Sequence, residues 1–182
     1  MQIENTFIDG CFIIKPKIFG DNRGAFFESF NKRKFEELTN LKINFVQDNQ
    51  SISERGVLRG LHFQTGECAQ AKLVRVIRGE VLDVAVDLRP GSKTYGEHFS
   101  IVLNEENNYQ LFVPRGFAHG FVVLSENTVF SYKCDNYYDK PSESGIIYND
   151  PALKIDWKLD ESEIKLSDKD KDLRLLKDLN LK

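Results

Sequence analysis

The chain has 182 residues, of which 41% are hydrophobic, and its formal net charge is −3. This charge does not favour binding to nucleic acid or to an anionic membrane surface, and no apolar run approaches the roughly 20 residues needed to span a bilayer. The first residues lack a signal-peptide pattern, and the three cysteines have no CxxC spacing, so we expect a cytoplasmic protein with reduced thiols. The length predicts one domain over residues 1–182.

Most of the chain consists of short apolar runs separated by turn residues, a pattern that predicts a β-sandwich or barrel. In the run 80–88, Leu82 and Val84 alternate with Asp83 and Ala85, which predicts a strand with two different faces. Strands are predicted over residues 11–18, 25–30, 43–52, 57–64, 72–77, 80–88, 98–103, 110–113, 117–124 and 128–134.

Two segments are predicted to be helical. Asn31 can cap a short helix near residues 31–39, with Phe35 and Leu38 on its inner face. The charged segment 167–181 has leucines at helix-like spacing and predicts a C-terminal helical tail that packs on the barrel. The fold is therefore expected to be mainly β, with a short helix and this tail added.

Histidine is scarce, so each of the three can be weighed separately. His98 lies in a charged strand, which gives little reason to place it in a site. His62 shares one face of its strand with Gly60 and Gln64, because side chains alternate along a strand. Polar groups on one face of an apolar strand indicate a barrel interior lined for a ligand, although a buried structural histidine is the alternative.

His119 ends a Pro-x-Gly-x-x-His spacing that matches the second cupin motif, where the histidine of metal-binding members is a ligand. The first cupin motif normally contains His-x-His, but the second position here is Gln64. Two histidines and a distant glutamate do not readily supply the three or four ligands of a usual transition-metal site. The pattern predicts a barrel without a metal, in which His62 is free to move protons.

Several other polar side chains are candidates for the site. Asp83 lies in an otherwise apolar strand, and burial without a partner is costly, so we expect it to bond to a group inside the barrel. Arg23 and Arg59 suit a diphosphate, because guanidinium groups match phosphate oxygens, although surface arginines are the alternative. The remaining reactive candidates are Lys72, Tyr132 and Asp170.

Seven motifs, specific as a set, run along nearly the whole chain: F-x-D-x-R-G-x-F-x-E from Phe19, Phe45-Val46-Gln47-Asp48-Asn49, Val57-Leu58-Arg59-Gly60-Leu61-His62-Phe63-Gln64, Gly79-Glu80-Val81, Pro-x-Gly-Phe-Ala-His-Gly-Phe from Pro114, Tyr132-Lys133 and Leu166-Ser167-Asp168-Lys169-Asp170. With these motifs the chain resembles the dTDP-4-dehydrorhamnose 3,5-epimerases of bacterial cell-surface sugar synthesis, almost from end to end. This resemblance implies a cupin jelly roll, a homodimer with strands exchanged at the interface, and a dTDP-linked 4-keto-6-deoxy sugar as substrate.

The resemblance also implies roles for the reactive residues. His62 corresponds to the proton acceptor and Asp170 to its acidic partner. Tyr132 resembles the proton donor on the opposite sugar face, and Lys72 would stabilise the enolate at the C4 oxygen. Alternative partners for His62 are Asp168 and Asp83.

Substrate contacts are implied in the same way. The residues that correspond to diphosphate ligands are Arg23, Arg59 and His119. Those that correspond to other substrate contacts are Glu28, Gln47, Asn49, Glu143 and Lys169. The aromatic rings that would lie on or near the thymine are Phe26 and Tyr138.

These residue types suit removal of a proton next to a ketone. The reaction needs a base whose pKa lies near the working pH, which histidine provides, and a cation to hold the enolate charge. It needs no redox cofactor, and the chain has no glycine-rich dinucleotide fingerprint. The competing interpretations are an epimerase that inverts only one carbon, a metal-dependent cupin dioxygenase or isomerase, and a non-catalytic sugar-binding cupin.

Overall fold

The computed structural model describes residues 1–180, which form a six-stranded sheet, a five-stranded sheet and a separate two-stranded hairpin. The six-stranded sheet has the order β1-β2-β10-β7-β12-β5, and the five-stranded sheet the order β13-β6-β11-β8-β9. The strands are β1 Gln2–Asn5, β2 Phe12–Lys15, β3 Phe19–Asp21, β4 Gly24–Phe26, β5 Gln47–Ser53, β6 Leu58–Gln64, β7 Lys72–Arg78, β8 Glu80–Asp87, β9 His98–Asn104, β10 Gln110–Val113, β11 Phe117–Val123, β12 Thr128–Cys134 and β13 Glu143–Gly145.

The helices are short. They are α1 Lys32–Thr39 and α2 Asp168–Lys171, with 3-10 turns at Gly66–Cys68, Lys140–Ser142, Glu161–Glu163 and Leu176–Asp178. None of the helices in residues 1–180 combines the length and the apolar character that crossing a membrane requires.

The main core lies between the two large sheets. Val74 and Phe130 from the six-stranded sheet meet Ala85 and Phe121 from the five-stranded sheet in one buried cluster. The rings of Phe121 and Phe130 are stacked with their centroids 4.0 Å apart, so an aromatic pair joins the sheets directly. The predicted mainly β barrel architecture is confirmed.

Strand β8 is buried on both faces. Val81 and Ala85 point into the core between the sheets, whereas Leu82 and Val84 pack in a second cluster with Trp157. Residues 146–166 cover this outer face of the five-stranded sheet. The predicted alternation along β8 is confirmed, and the apolar side chains on each of its two faces pack in a hydrophobic core.

The predicted helix is present as α1. The Asn31 side chain accepts a hydrogen bond from the Lys34 N–H at its start, and Asn40 ends it in the left-handed region with a φ of 57°. Phe35 is fully buried against Phe12. Leu38 is 47% exposed, so its assignment to the inner face was wrong; the helix is short and one aromatic ring is its only buried side chain.

The tail packs on the barrel but is not one continuous helix. Its described part consists of α2 and one later 3-10 turn, and the end of the predicted segment lies outside the described residues. Isolated bridges pair Val57 with Lys165 and Ile146 with Arg174, which keeps the backbone extended around α2. Leu176 and Leu179 still pack against the outer core cluster.

Strand positions agree best in the middle of the chain, where 110–113 and 128–134 match β10 and β12. Three strands were not predicted: β1, β3 and β13. These are three or four residues long; β1 and β3 are mostly exposed, and β13 consists of Glu143, Ser144 and Gly145. They therefore lack the apolar alternation that reveals a strand in the sequence.

Candidate active site

A cavity of about 460 Å³ lies between the sheets and is closed on one side by the tail. A second cavity of about 250 Å³ shares Asn49, His62, Lys72 and Tyr132 with it, so the two are neighbours. Together their linings contain most of the predicted site residues: Gln47, Asn49, Arg59, His62, Lys72, His119, Tyr132, Tyr138, Glu143, Lys169 and Asp170.

The backbones of β6 and β11 approach closely at the cavity. A Cβ atom on Gly60, where φ is +122°, would lie 2.5 Å from the Gly120 Cα. Only glycine suits this position, because it combines positive φ with a close neighbouring backbone. The close approach places His62 directly opposite His119 in the strand register, so both imidazoles belong to the five-stranded wall.

His62 is paired with Asp170. Its Nε2 lies 2.5 Å from the Asp170 Oδ1, and the carboxylate side chain is 5% exposed. Burial raises the pKa of Asp170, but the hydrogen bonds to His62 and Ser167 and the nearby positive charges lower it by more, so the pKa lies below its ordinary value. The carboxylate is therefore ionised at neutral pH.

The two alternative partners of His62 make other contacts. Asp168, two residues earlier in the same helical turn, has a side chain that is 98% exposed and bonds to Lys171. Asp83 is fully buried, and both of its oxygens lie 3.0 Å from the His119 Nε2. The expectation that Asp83 bonds to a group inside the barrel is confirmed, and that group is His119.

The opposite wall carries Lys72 and Tyr132, which belong to the six-stranded sheet. The Lys72 Nζ lies 5.8 Å from the centroid of the Tyr132 ring. Burial lowers the pKa of Lys72, while Cys134, Asp83 and Glu143 act in the opposite direction. Burial, followed by the nearby Cys134, raises the pKa of Tyr132, so its hydroxyl keeps its proton at neutral pH.

Hydrogen-bonded polar side chains from three segments of the protein lie at the edge of the smaller cavity. The Tyr138 hydroxyl donates to the Glu143 Oε2 at 2.9 Å, and the Lys169 Nζ lies 2.5 Å from the same oxygen. Burial raises the pKa of Glu143, but Lys169 and Tyr138 lower it by more, so the net shift is downward. Gln47 joins this group by accepting the Tyr138 backbone N–H at 3.1 Å.

Three predicted substrate contacts do not reach the cavity of their own chain. Phe26 is 68% exposed on the β3–β4 hairpin, and within residues 1–180 Arg23 bonds only to Asp21 of that hairpin. Glu28 bonds to Lys34 and Asn31 outside the site. The hairpin pairs with itself and not with either large sheet, which leaves these residues on the surface.

Other lining residues had not been predicted. The inner face of β5 continues from Asn49 to Ser51, whose Oγ is buried without a hydrogen-bond partner among the described residues. Period-two alternation from Gln47 and Asn49 would have indicated Ser51. The remaining unpredicted lining residues are Gln50, Phe63, Gln70, Phe121 and Ser167.

No group of three or more His, Cys, Asp and Glu side chains within residues 1–180 is arranged to hold a metal ion. Gln64, at the position of the second motif histidine, accepts the Asp139 backbone N–H at 3.0 Å. Metal independence stays a prediction.

Two antiparallel sheets around a polar cavity with paired histidines and carboxylates define a cupin-type barrel. The family model described as dTDP-4-dehydrorhamnose 3,5-epimerase matches residues 5–178. The chain belongs to the dTDP-4-dehydrorhamnose 3,5-epimerase family.

Individual relatives agree with this assignment. The chain is 55% identical over 157 residues to the dTDP-4-dehydrorhamnose 3,5-epimerase of Salmonella typhimurium, covering 86% of each chain. The crystal structure of that enzyme type from Elizabethkingia anophelis superposes with a TM-score of 0.95 at 55% identity and covers 99% of this chain and 98% of the other. The dTDP-6-deoxy-D-glucose-3,5-epimerase of Legionella pneumophila, in complex with dTDP-4-keto-L-rhamnose, has a TM-score of 0.95 at 51% identity, covering 98% and 94%.

Proposed function

We propose that this protein, acting as a single domain, inverts C3 and C5 of dTDP-4-dehydro-6-deoxy-D-glucose to give dTDP-4-dehydro-L-rhamnose. The observation that carries the proposal is the placement of a histidine–carboxylate pair on one cavity wall and a lysine and tyrosine on the other. The Legionella relative bound to dTDP-4-keto-L-rhamnose supports the substrate class.

His62 acts as the base that removes the proton next to the C4 ketone. The ionised Asp170 holds the imidazole through the 2.5 Å contact and stabilises the imidazolium that forms. The free ring nitrogen of His62 then takes the proton from carbon. Because C3 and C5 flank the same carbonyl, one base serves both steps once His62 has released its proton to solvent, Tyr132 has regained one from solvent, and the sugar ring has changed its pucker.

Lys72 stabilises the enolate oxygen. A cation at a half-buried position interacts more strongly with a developing negative charge than one in water, since the local dielectric constant is lower. Burial lowers its pKa, while the neighbouring acidic groups counteract this effect and favour the charged amine.

Tyr132 returns a proton to the opposite face of the carbanion. It stands on the six-stranded sheet, across the cavity from His62 on the five-stranded sheet. Its raised pKa keeps the hydroxyl protonated until the carbanion forms. Protonation from this side inverts the centre, whereas return from His62 would restore it.

The nucleotide part of the substrate is bound away from the reacting carbons of the sugar. Arg59 and His119 are placed to bind the diphosphate from the cavity lining, and Tyr138 offers an aromatic ring to the thymine. Further sugar and nucleotide contacts come from Gln47, Asn49, Glu143 and Lys169. No cofactor or metal takes part in these steps.

A homodimer completes the site in this proposal. The β3–β4 hairpin exposes Phe19 and Phe26, and β5 is an edge strand of its sheet with Ile52 66% exposed. Exposed apolar side chains and an open strand edge favour pairing with a second copy. Arg23, Phe26 and Glu28 of one copy then contribute to the cavity of the other.

Mixing two inactive variants tests this arrangement. A His62→Asn chain lacks the base but keeps its hairpin, and an Arg23→Ala chain has the reverse defect. If the hairpin serves the other copy, mixed dimers contain one intact site and regain activity. No recovery, with dimers shown by light scattering, would place the hairpin function within its own chain.

The reaction itself is tested in D₂O with dTDP-4-dehydro-6-deoxy-D-glucose and the reductase that consumes the product. We expect deuterium at both C3 and C5, and a trapped product with the L-rhamno configuration. Label at one carbon only, or inversion of one centre only, would identify a mono-epimerase. Nucleotide binding without exchange at either carbon would indicate a non-catalytic sugar-binding cupin.

The cytoplasm is the proposed location. Cys11, Cys68 and Cys134 are all free thiols in the structure, which suits a reducing compartment.

A further inference from the structure

The segment between β12 and β13, residues 135–142, is here called the mouth segment. It carries Tyr138, which lines the smaller cavity, and it leads into Glu143 at the start of β13. Its first part bonds back to the barrel through the Gln70 Nε2, which donates to the Asn136 carbonyl at 2.8 Å. The position of the segment therefore sets where Tyr138 stands relative to the cavity.

Two glutamine side chains hold consecutive backbone amides of the mouth segment. The Gln47 Oε1 accepts the Tyr138 N–H at 3.1 Å, and the Gln64 Oε1 accepts the Asp139 N–H at 3.0 Å. Gln47 belongs to the six-stranded sheet and Gln64 to the five-stranded sheet. The backbone N–H groups of Tyr138 and of the following residue are thus held by side chains from the two opposite sheets.

Gln64 has features of a residue placed for this contact. Its side chain is buried at 8% exposure, and a buried amide needs a hydrogen-bond partner to offset its lost hydration. It lies directly opposite Glu143 in the β6–β13 register, and Glu143 accepts the Tyr138 hydroxyl. Gln64 therefore links the strand that carries His62 to this pair at two points: its side chain binds the Asp139 N–H next to Tyr138, and its backbone lies opposite Glu143.

We propose that Gln64 is a positioning residue for the nucleotide end of the substrate: its side-chain carbonyl fixes the mouth segment so that Tyr138 and Glu143 stand ready for the ligand before it arrives. Gln64 acts through these two residues and does not enter the proton transfers at His62. The identity of the ligand rests on the function proposed above, whereas the backbone contact does not.

Gln64→Met tests the proposal, because methionine has a similar length and no acceptor comparable to the amide oxygen. Loss of one such hydrogen bond should raise both the KM for the substrate and the Kd for dTDP by roughly three- to tenfold, with kcat within about twofold of wild type. Hydrogen exchange of the Tyr138 and Asp139 amides should become faster. Gln64→Asn, which keeps the amide but shortens its reach, should change the same quantities in the same direction.

Gln110→Met is the matched control. Gln110 is also a buried glutamine, but its Nε2 donates to the Ser29 carbonyl, outside the mouth segment. This variant should leave amide exchange at Tyr138 and Asp139 unchanged even if it lowers overall stability. The same change of exchange in both variants would mean general loosening and would overturn the proposal.

Two further results would also overturn it. One is unchanged exchange and unchanged dTDP affinity in Gln64→Met. The other is a large fall in kcat at constant KM, which would assign Gln64 to the reaction itself. If the wild type binds dTDP but does not epimerise the sugar, the proposed function fails, and the exchange and dTDP-binding measurements still decide the role of Gln64.

Discussion

Replacing Asp170 by Asn is the sharpest test of the proposed base. The substitution keeps the size of the side chain and removes the negative charge that lies 2.5 Å from the His62 Nε2. The imidazole remains present, but its positive form loses the ionised partner. We therefore expect slower proton abstraction with nearly intact nucleotide binding, because Asp170 is not among the groups proposed to hold the diphosphate or the thymine.

The magnitude follows from the type of contact. A hydrogen bond to a charged group contributes roughly 1.5–3 kcal/mol. The Asp170 side chain is almost fully buried, so solvent screens this contact weakly. Since about 1.36 kcal/mol corresponds to a tenfold change in rate, kcat should fall by roughly 10- to 150-fold. His62→Asn removes the base itself and should cost at least about 100-fold.

The assay is deuterium incorporation from D₂O, followed at C3 and C5 separately, alongside the rate with the coupled reductase. Asp168→Asn is the matched control. It changes the same residue type in the same helical turn, at a side chain that is 98% exposed and bonded to Lys171. This control should retain wild-type exchange.

Wild-type exchange of both protons in Asp170→Asn would contradict the role given to Asp170. A much slower exchange in Asp83→Asn than in Asp170→Asn, with both variants equally folded, would contradict it as well. That second result would make His119, which Asp83 contacts, the more important histidine.

Three other outcomes are expected. Tyr132→Phe keeps the ring but loses the hydroxyl that donates the proton. Proton exchange next to the ketone should continue, while the rate of L-rhamno product formation should fall at least about 100-fold. Equal losses of exchange and of product formation would contradict separate acid and base roles. Exhaustive chelation with EDTA should leave kcat unchanged, and a loss restored only by a divalent metal would contradict a metal-free reaction. Burial raises the pKa of Asp87, but Arg89, Ser92 and Thr94 lower it by more, so the folded pKa is depressed. Its stabilisation is present above the unfolded pKa of about 3.9 and is lost as pH falls towards the folded pKa. Asp87→Asn should therefore lower the free energy of unfolding by about 2–3 kcal/mol at pH 7, and urea unfolding at pH 3 should show a smaller difference.

The sequence predicts the barrel well because its central strands are buried. β10 and β12 are apolar runs bounded by turn residues, so their limits are visible without the structure. The alternation in β8 also indicates which side chains share a face. Short strands without apolar side chains, such as β13, have no such signal, because they form through pairing with a neighbour and not through their own apolar pattern.

The site is only partly predictable for a related reason. Side-chain types indicate acid–base chemistry, but three carboxylates were possible partners of His62, and their distances depend on how the tail docks. The bridge of Ile146 to Arg174 and the capping of α2 by Ser167 settle that path, and neither follows from leucine spacing. The hairpin residues show a second limit, since a motif identifies Arg23 without indicating that its side chain lies outside the cavity of its own chain.

The origin of the His62 partner has a consequence for synthesis on the ribosome. His62 and Asp170 are 108 positions apart in the chain, and Asp170 lies in the tail after every strand of both sheets has been made. A nascent chain can complete its barrel while the carboxylate is still inside the exit tunnel. We expect such a ribosome-bound chain to have both sheets formed and little turnover, so that activity appears only after the segment that carries Asp170 has left the tunnel.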